Sequence, residues 1–116
     1  MDVPGEAARL RIFIGENDSF GDRRLANALV LKARELGIAG ATATPGTMGY
    51  GKPSHSDDRR LLLSHDLPIV VEVVDSHEMI DKYFHAIQPM IRSGLVTLDT
   101  IRVLRYGEAT GQAGLC

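Results

Sequence analysis

Two strand–helix–strand units in a chain of 116 residues predict an α+β sandwich of βαββαβ order. This is the ferredoxin-like arrangement, in which both helices cover one face of the sheet. Two patterns carry the prediction: strand-like segments at four places, the first with clear period-two alternation, and apolar stripes of helical period at two. A long polar loop separates the second and third strands.

The first strand is "RLRIFIGE", with Leu10, Ile12 and Ile14 on one side and Arg9, Arg11 and Phe13 on the other. Residues 1–8 read as a flexible lead-in. "NDSFGD" supplies turn residues and helix caps. In "RRLANALVLKARELG", Leu25, Leu29, Ala33 and Leu36 form one helical stripe, and Gly37 stops it. "IAGATAT" is a second strand of low bulk. "LPIVVEVVD" is the strongest strand signal, rich in β-branched residues and broken only by Glu72. A second helix opens at "DSHEMID", where Asp75 and Glu78 have capping-box spacing. Its stripe is Ile80, Phe84, Ile87 and Ile91, and Pro89 should kink it or split off a last turn. "SGLVTLDTIRVLRY" gives a turn and the final strand. The single domain runs from 9 to 106, followed by a loose tail, 107–116.

If Ile12, Ile69 and Val71 face the helices, Phe13, Val70 and Val74 face away. Apolar side chains on an uncovered sheet face are a liability for a monomer, so self-association is expected to cover them.

Composition excludes several classes. Thirteen Lys and Arg against 15 Asp and Glu leave no field to recruit nucleic acid or an anionic membrane. Cys116 is the only cysteine, which precludes an internal disulfide or a cysteine metal cluster. No apolar run approaches the roughly 18 residues of a membrane span, and the first residues lack the apolar segment of a signal peptide. A cytoplasmic domain without membrane insertion is expected.

The loop "TPGTMGYGKPSHSDD" invites three chemical readings. Gly46 to Lys52 matches the first seven positions of a phosphate-binding GxxxxGK loop. The match fails at Pro53, where a magnesium-binding Ser or Thr belongs, and no apolar-periodic helix follows. His55, Asp57 and Asp58, with His65, offer metal ligands but no rigid element to hold them, so a solvated polar loop explains them better. The third reading is a mobile arm that recognises a partner, since so few apolar groups offset the entropy of ordering residues 47–60. No nucleophile–base arrangement is inferable from spacing, and no catalytic residue is assigned. His77 and His85 read as surface or cap residues of the second helix.

The succession "LRIFIGE", "GIAGAT", "GYGK", "LPIVVEVVD" and "GLVTLDTIRVLRY" resembles a bacterial and archaeal family classed as a domain of unknown function. That family is placed in the PII-like (GlnB-like) superfamily of trimeric signalling proteins, and the likeness runs from about Arg9 to Tyr106. The resemblance implies a non-catalytic homotrimer that binds adenine nucleotides between subunits and docks on a protein target through the 46–66 loop. PII proteins open that loop with Gly-Phe-Gly-Arg-Gln, to which Gly49, Tyr50, Gly51 and Lys52 are similar. Pro53 replaces the glutamine associated with magnesium and 2-oxoglutarate, a departure that speaks against 2-oxoglutarate sensing.

PII proteins end their last strand with Arg-Ile-Arg-Thr-Gly-Glu, and only its second arginine carries over, as Arg105. Arg102 lies one position off, on the opposite face by alternation. The phosphate loop after the second helix is shortened to "RSGLVT", where Arg92 could compensate for a missing lysine. The resemblance thus assigns Gly49, Gly51, Lys52 and Arg105 to a small anionic ligand. The same fold class includes divalent-cation-tolerance proteins, so a trimeric metal binder and a ligand-free oligomeric adaptor stand as alternatives.

Overall fold

The computed structural model describes residues 5–49 and 67–107. Its elements are β1 (Gly5–Gly15), β2 (Ser19–Phe20), β3 (Arg23–Arg24), α1 (Leu25–Glu35), β4 (Gly40–Pro45), β5 (Pro68–Asp75), α2 (His77–Ile87) and β6 (Leu95–Val103). β4, β5, β1 and β6 form one antiparallel sheet in that order, and β2 pairs with β3 in a separate small hairpin. The fold is the expected α+β, ferredoxin-like βαββαβ sandwich, with β4 and β5 as its second and third strands.

Alternation places the core. Leu10, Ile12 and Ile14 of β1 and Val71 and Val73 of β5 are buried under Leu25, Leu29 and Ala33 of α1 and Ile80 and Ile87 of α2. Leu36, Phe84 and Ile91 pack against this cluster from its margin. Tyr83, absent from the predicted stripe, is wholly buried, and its hydroxyl donates to the Leu29 carbonyl at 2.8 Å. This bond ties the two helices together and satisfies the one polar atom that burying a tyrosine brings inside. α1 lies over β4 and β5, and α2 over β1 and β5. β6 extends beyond the helix layer, and Leu98 on it is 59% exposed.

Several boundaries differ from the sequence expectation. The first strand begins at Gly5 rather than Arg9, and Gly5 to Ala8 pair with Val103 to Thr100. Ala7 and Ala8 are both buried there, but methyl side chains display no alternation to read. "NDSFGD" caps no helix. It folds into the β2–β3 hairpin, turning at Gly21 (φ 66°), and the carbonyl of Asp18 accepts from Leu25 N–H at 2.7 Å.

Helix α1 stops as expected. Gly37 (φ 75°) donates to Arg34 and Ile38 to Ala33, the paired bonds of a Schellman motif. The cap of α2 is Ser76, not Asp75: its hydroxyl accepts from Met79 N–H at 3.2 Å. Asp75 is instead buried, accepting from Ala39 N–H at 2.8 Å and from Ser76 N–H, so it anchors the chain entering β4. After α2, Pro89 sits in a separate 3-10 turn, Gln88–Met90.

Gly94 allows β6 to start. A Cβ there would meet the Phe13 carbonyl oxygen at 2.8 Å, a backbone atom that cannot step aside.

Candidate functional site

The base of the 46–66 loop is held by backbone. Gly46 N–H donates to the Pro68 carbonyl at 2.8 Å, which continues the β4–β5 ladder one step past Pro45. A Cβ on Gly46 would stand 2.9 Å from Pro68 Cγ, and one on Gly49 would stand 3.4 Å from the same atom. Both positions demand glycine, for different reasons: at Gly46 the proline ring has little freedom to yield, and at Gly49 the backbone itself (φ 157°) is one that side chains rarely adopt. On the returning side, Glu16 N–H donates to the Leu67 carbonyl at 2.7 Å, and Leu67 N–H reaches Glu16 Oε1 at 3.4 Å. Arg24 donates to the Glu16 carbonyl and to Asn17 Oδ1, tying this neck to the start of α1.

Of the expected ligand residues, Gly49 lies at this neck. Gly51 and Lys52 lie outside the described residues, as do Tyr50, Pro53, His55, Asp57, Asp58 and His65. Arg105 is exposed and lies two residues beyond β6, so strand alternation does not govern its direction.

The sheet separates Gly49 from Arg105. The loop neck sits at the end marked by Gly15 and Pro68, whereas β6 ends opposite Gly5. Ten residue steps along β1 separate those two rows. Beyond Val103 the chain leans back towards β4, where Tyr106 Oη donates to the Ala39 carbonyl at 3.4 Å. That contact is still at the far end of β4, seven residues before Gly46. At about 3.3 Å per residue the gap is roughly 20 Å or more, further than an arginine side chain extends. One chain does not bring Gly49 and Arg105 together.

Arg92 behaves differently. It precedes Gly94 at the loop-neck end of the sheet and lines a small cavity of about 60 Å3 with Asn17, Ser19 and Met90. Gly49 and Arg92 thus share an end, separated by three strand spacings of about 4.8 Å each.

The helix-free face contains a feature that the sequence reading missed. Arg9 binds Asp99 through two hydrogen bonds, Nη2 to Oδ2 at 2.7 Å and Nε to Oδ1 at 3.2 Å. Arg11 Nε binds Glu72 Oε2 at 3.0 Å. Each pair is directly opposed across two strands, Arg9 facing Asp99 and Arg11 facing Glu72. The hydrogen bond from Arg9 holds the Asp99 carboxyl below its ordinary value, and the same bond raises Arg9. Phe13, Val70 and Val74 are there as expected, but the charged band divides them.

Among the described residues, no three His, Cys, Asp or Glu side chains gather as a metal site. No helix among them is long and apolar enough to cross a membrane.

With this geometry established, the likeness to known proteins is specific. The model of the DUF190 family, described as an uncharacterised ACR, matches residues 7–103. A UPF0166 protein of Aquifex aeolicus is 35% identical over 96 residues, covering 82% of this chain and 90% of the relative. Among solved structures, CPII of Thiomonas intermedia K12, a nitrogen regulatory PII-like protein bound to ADP, AMP and bicarbonate, superposes with a TM-score of 0.63 at 18% identity. That match covers 86% of this chain and 90% of CPII. The divalent ion tolerance protein CutA1 of Ehrlichia chaffeensis has a TM-score of 0.52 at 12% identity, over 91% and 89% of the two chains. The structural neighbours carry the fold; the family match over 7–103 and the Aquifex relative carry membership, and this chain belongs to the DUF190 (UPF0166) family, on a PII-like fold.

Proposed function

We propose that the protein is a non-catalytic, cytoplasmic regulator of the PII-like type. It assembles as a homotrimer, binds a small anionic ligand such as an adenine nucleotide in the clefts between subunits, and docks on a protein target through the 46–66 loop. The observation that carries this reading is the split site. Gly49 at the loop neck and Arg105 beyond the last strand occupy opposite ends of one sheet, so a ligand that uses both must lie between chains.

The likeness to CPII, whose solved structure holds ADP and AMP, suggests the ligand's class. In this reading the backbone N–H groups of the Gly49-to-Lys52 segment meet a phosphate, and Lys52 and Arg105 add charge-assisted hydrogen bonds. A ligand held this way favours the loop conformers that close over it, and the target reads that shift in population.

The test is calorimetric titration of the full chain with AMP, ADP and ATP. If Lys52 and Arg105 each contact a phosphate, Lys52→Ala and Arg105→Ala should each cost roughly 1.5–3 kcal/mol. That corresponds to about ten- to a hundred-fold weaker binding. Titration curves unchanged in both variants overturn the assignment.

The fold shared with CutA1 favours a second reading, a divalent-cation-binding trimer. Zinc or copper bound at one per chain, with no nucleotide bound, would select it. Binding of neither class of ligand would leave an oligomeric adaptor.

A further inference from the structure

The ligand site proposed above needs the loop-neck end of one chain beside the last strand of another, and each of those places carries an unusual surface. At the loop-neck end, the β2–β3 hairpin projects Phe20, 46% exposed, with Arg23 on the facing strand. Arg24 is tied back to Glu16 and Asn17, so the hairpin's base is anchored to the body of the chain. Beside β6, a groove of about 360 Å3 opens between that strand and α2. Leu10, Ile80, Phe84, Val96 and Leu98 line it, and the exposed Asp81 and His77 stand at its rim. Glu78 adds a second carboxylate three residues before Asp81, on the same side of the helix.

We infer that the hairpin of one chain docks in the α2–β6 groove of the next copy, with Phe20 as the apolar anchor and Arg23 facing Asp81. This rests on the oligomer proposed above. The occupant is identified by complementarity: a projecting aromatic beside an arginine meets an apolar recess edged by the Asp81 carboxylate. Aromatic and arginine side chains are also the types that carry binding energy at the centre of an interface. The recess is large enough for a phenyl ring, and filling it covers Leu98.

Hairpin and groove are different surfaces, so the contact is head-to-tail, and a closed ring of such contacts gives a cyclic oligomer. The same contact sets the end of the sheet that carries Gly46 and Gly49 against β6 of the next chain, at Val96 and Leu98.

Sedimentation velocity on the full chain across a concentration series tests the contact, using Phe20→Ser, Arg23→Glu, Asp81→Arg and the Arg23→Glu/Asp81→Arg pair. Each single variant is expected to raise the dissociation constant of the oligomer at least tenfold, and the double swap is expected to restore assembly. Rescue by the double swap cannot arise from misfolding of either single variant. Singles that assemble like the parent, or a double swap that fails to restore assembly, overturn the contact. Nucleotide titration of the parent separates this failure from failure of the ligand reading: a parent that still binds ADP as an oligomer leaves that reading standing. A parent that is monomeric at micromolar concentration overturns both.

Discussion

Along β1, Leu10, Ile12 and Ile14 turn towards the helices while Arg9, Arg11 and Phe13 turn away, and the two sets meet different surroundings. The helix side is dry: Ile12, Val71 and Val73 are wholly buried, each in contact with helix or strand neighbours. The opposite side joins the same strands by ion pairs, Arg9 to Asp99 and Arg11 to Glu72, with apolar residues at either end of the band. The contrast separates stability from availability. Burial on the helix side holds the chain together, whereas the charged band satisfies itself within one chain and requires nothing from a partner. A second copy covering this face would leave no charge unpaired, the condition under which burying ions is tolerable. The apolar ends, Phe13 with Val70 and Leu95, would then supply the attraction.

Adjacent residues of one strand give the sharpest test of that contrast. Ile12→Ala removes a buried side chain from the centre of the core and should cost about 2–5 kcal/mol of unfolding free energy. Arg11→Ala breaks a half-exposed ion pair and should stay within about 1 kcal/mol. Urea denaturation of both variants measures the difference. Equal losses would mean that the helix-free face contributes to the stability of the single chain, and the separation drawn above would fail.

The sequence made this division legible where side chains were large enough to show a period. The three apolar residues of β1 and the stripe of α1 could be read directly, as could the run that became β5. What escaped has physical causes. Ala7 and Ala8 carry too little side chain to mark a face, so four residues of β1 went unread. Two-residue strands show no period at all, which hid the hairpin behind ordinary turn residues. Asp75 and Ser76 are both competent caps, and burial of Asp75 decided between them. The candidate site was legible as residue types and not as geometry. Gly49 and Arg105 look compatible in a linear reading, and only the sheet topology shows them at opposite ends. Arg9 and Asp99 are 90 positions apart, so no local pattern announces their bond.

A smaller effect probes the helix side. Tyr83 donates to a carbonyl that belongs to a helix turn, so Tyr83→Phe should cost about 1 kcal/mol near neutral pH. Burial also pushes the phenol well above its ordinary value. The folded chain therefore keeps its proton at a pH where the unfolded chain has lost its own, about 10 and above. Stability present below that value falls as the pH rises through it. Comparing urea midpoints at pH 8 and pH 11 should show a steeper alkaline loss in the parent than in the Phe variant. Parallel losses would indicate that Tyr83 ionises in place.

The smallest expected effect lies on the charged band and has the opposite sign in pH. Arg9 lowers the Asp99 carboxyl in the folded chain, so the ionised form is the one that folding favours. The contribution is complete above the carboxyl's unfolded value, near 4, and is lost as the pH falls through the lower folded value. Asp99→Asn abolishes this dependence, so the acid limb of its stability curve below about pH 4 should be shallower than the parent's. In the separated chain the pair is open to water, and screening keeps the difference small. In an oligomer that covers this face the screening is removed, and protonating Asp99 strips a partner from Arg9 where water cannot replace it. Acid should therefore dissociate the assembly before it unfolds the chain, and the Asn variant should dissociate less steeply with pH than the parent. Sedimentation at a series of pH values, run beside circular dichroism, separates the two events. Dissociation with the same pH dependence in parent and Asn variant would mean that the Arg9–Asp99 pair stays in water, and that the copies meet elsewhere.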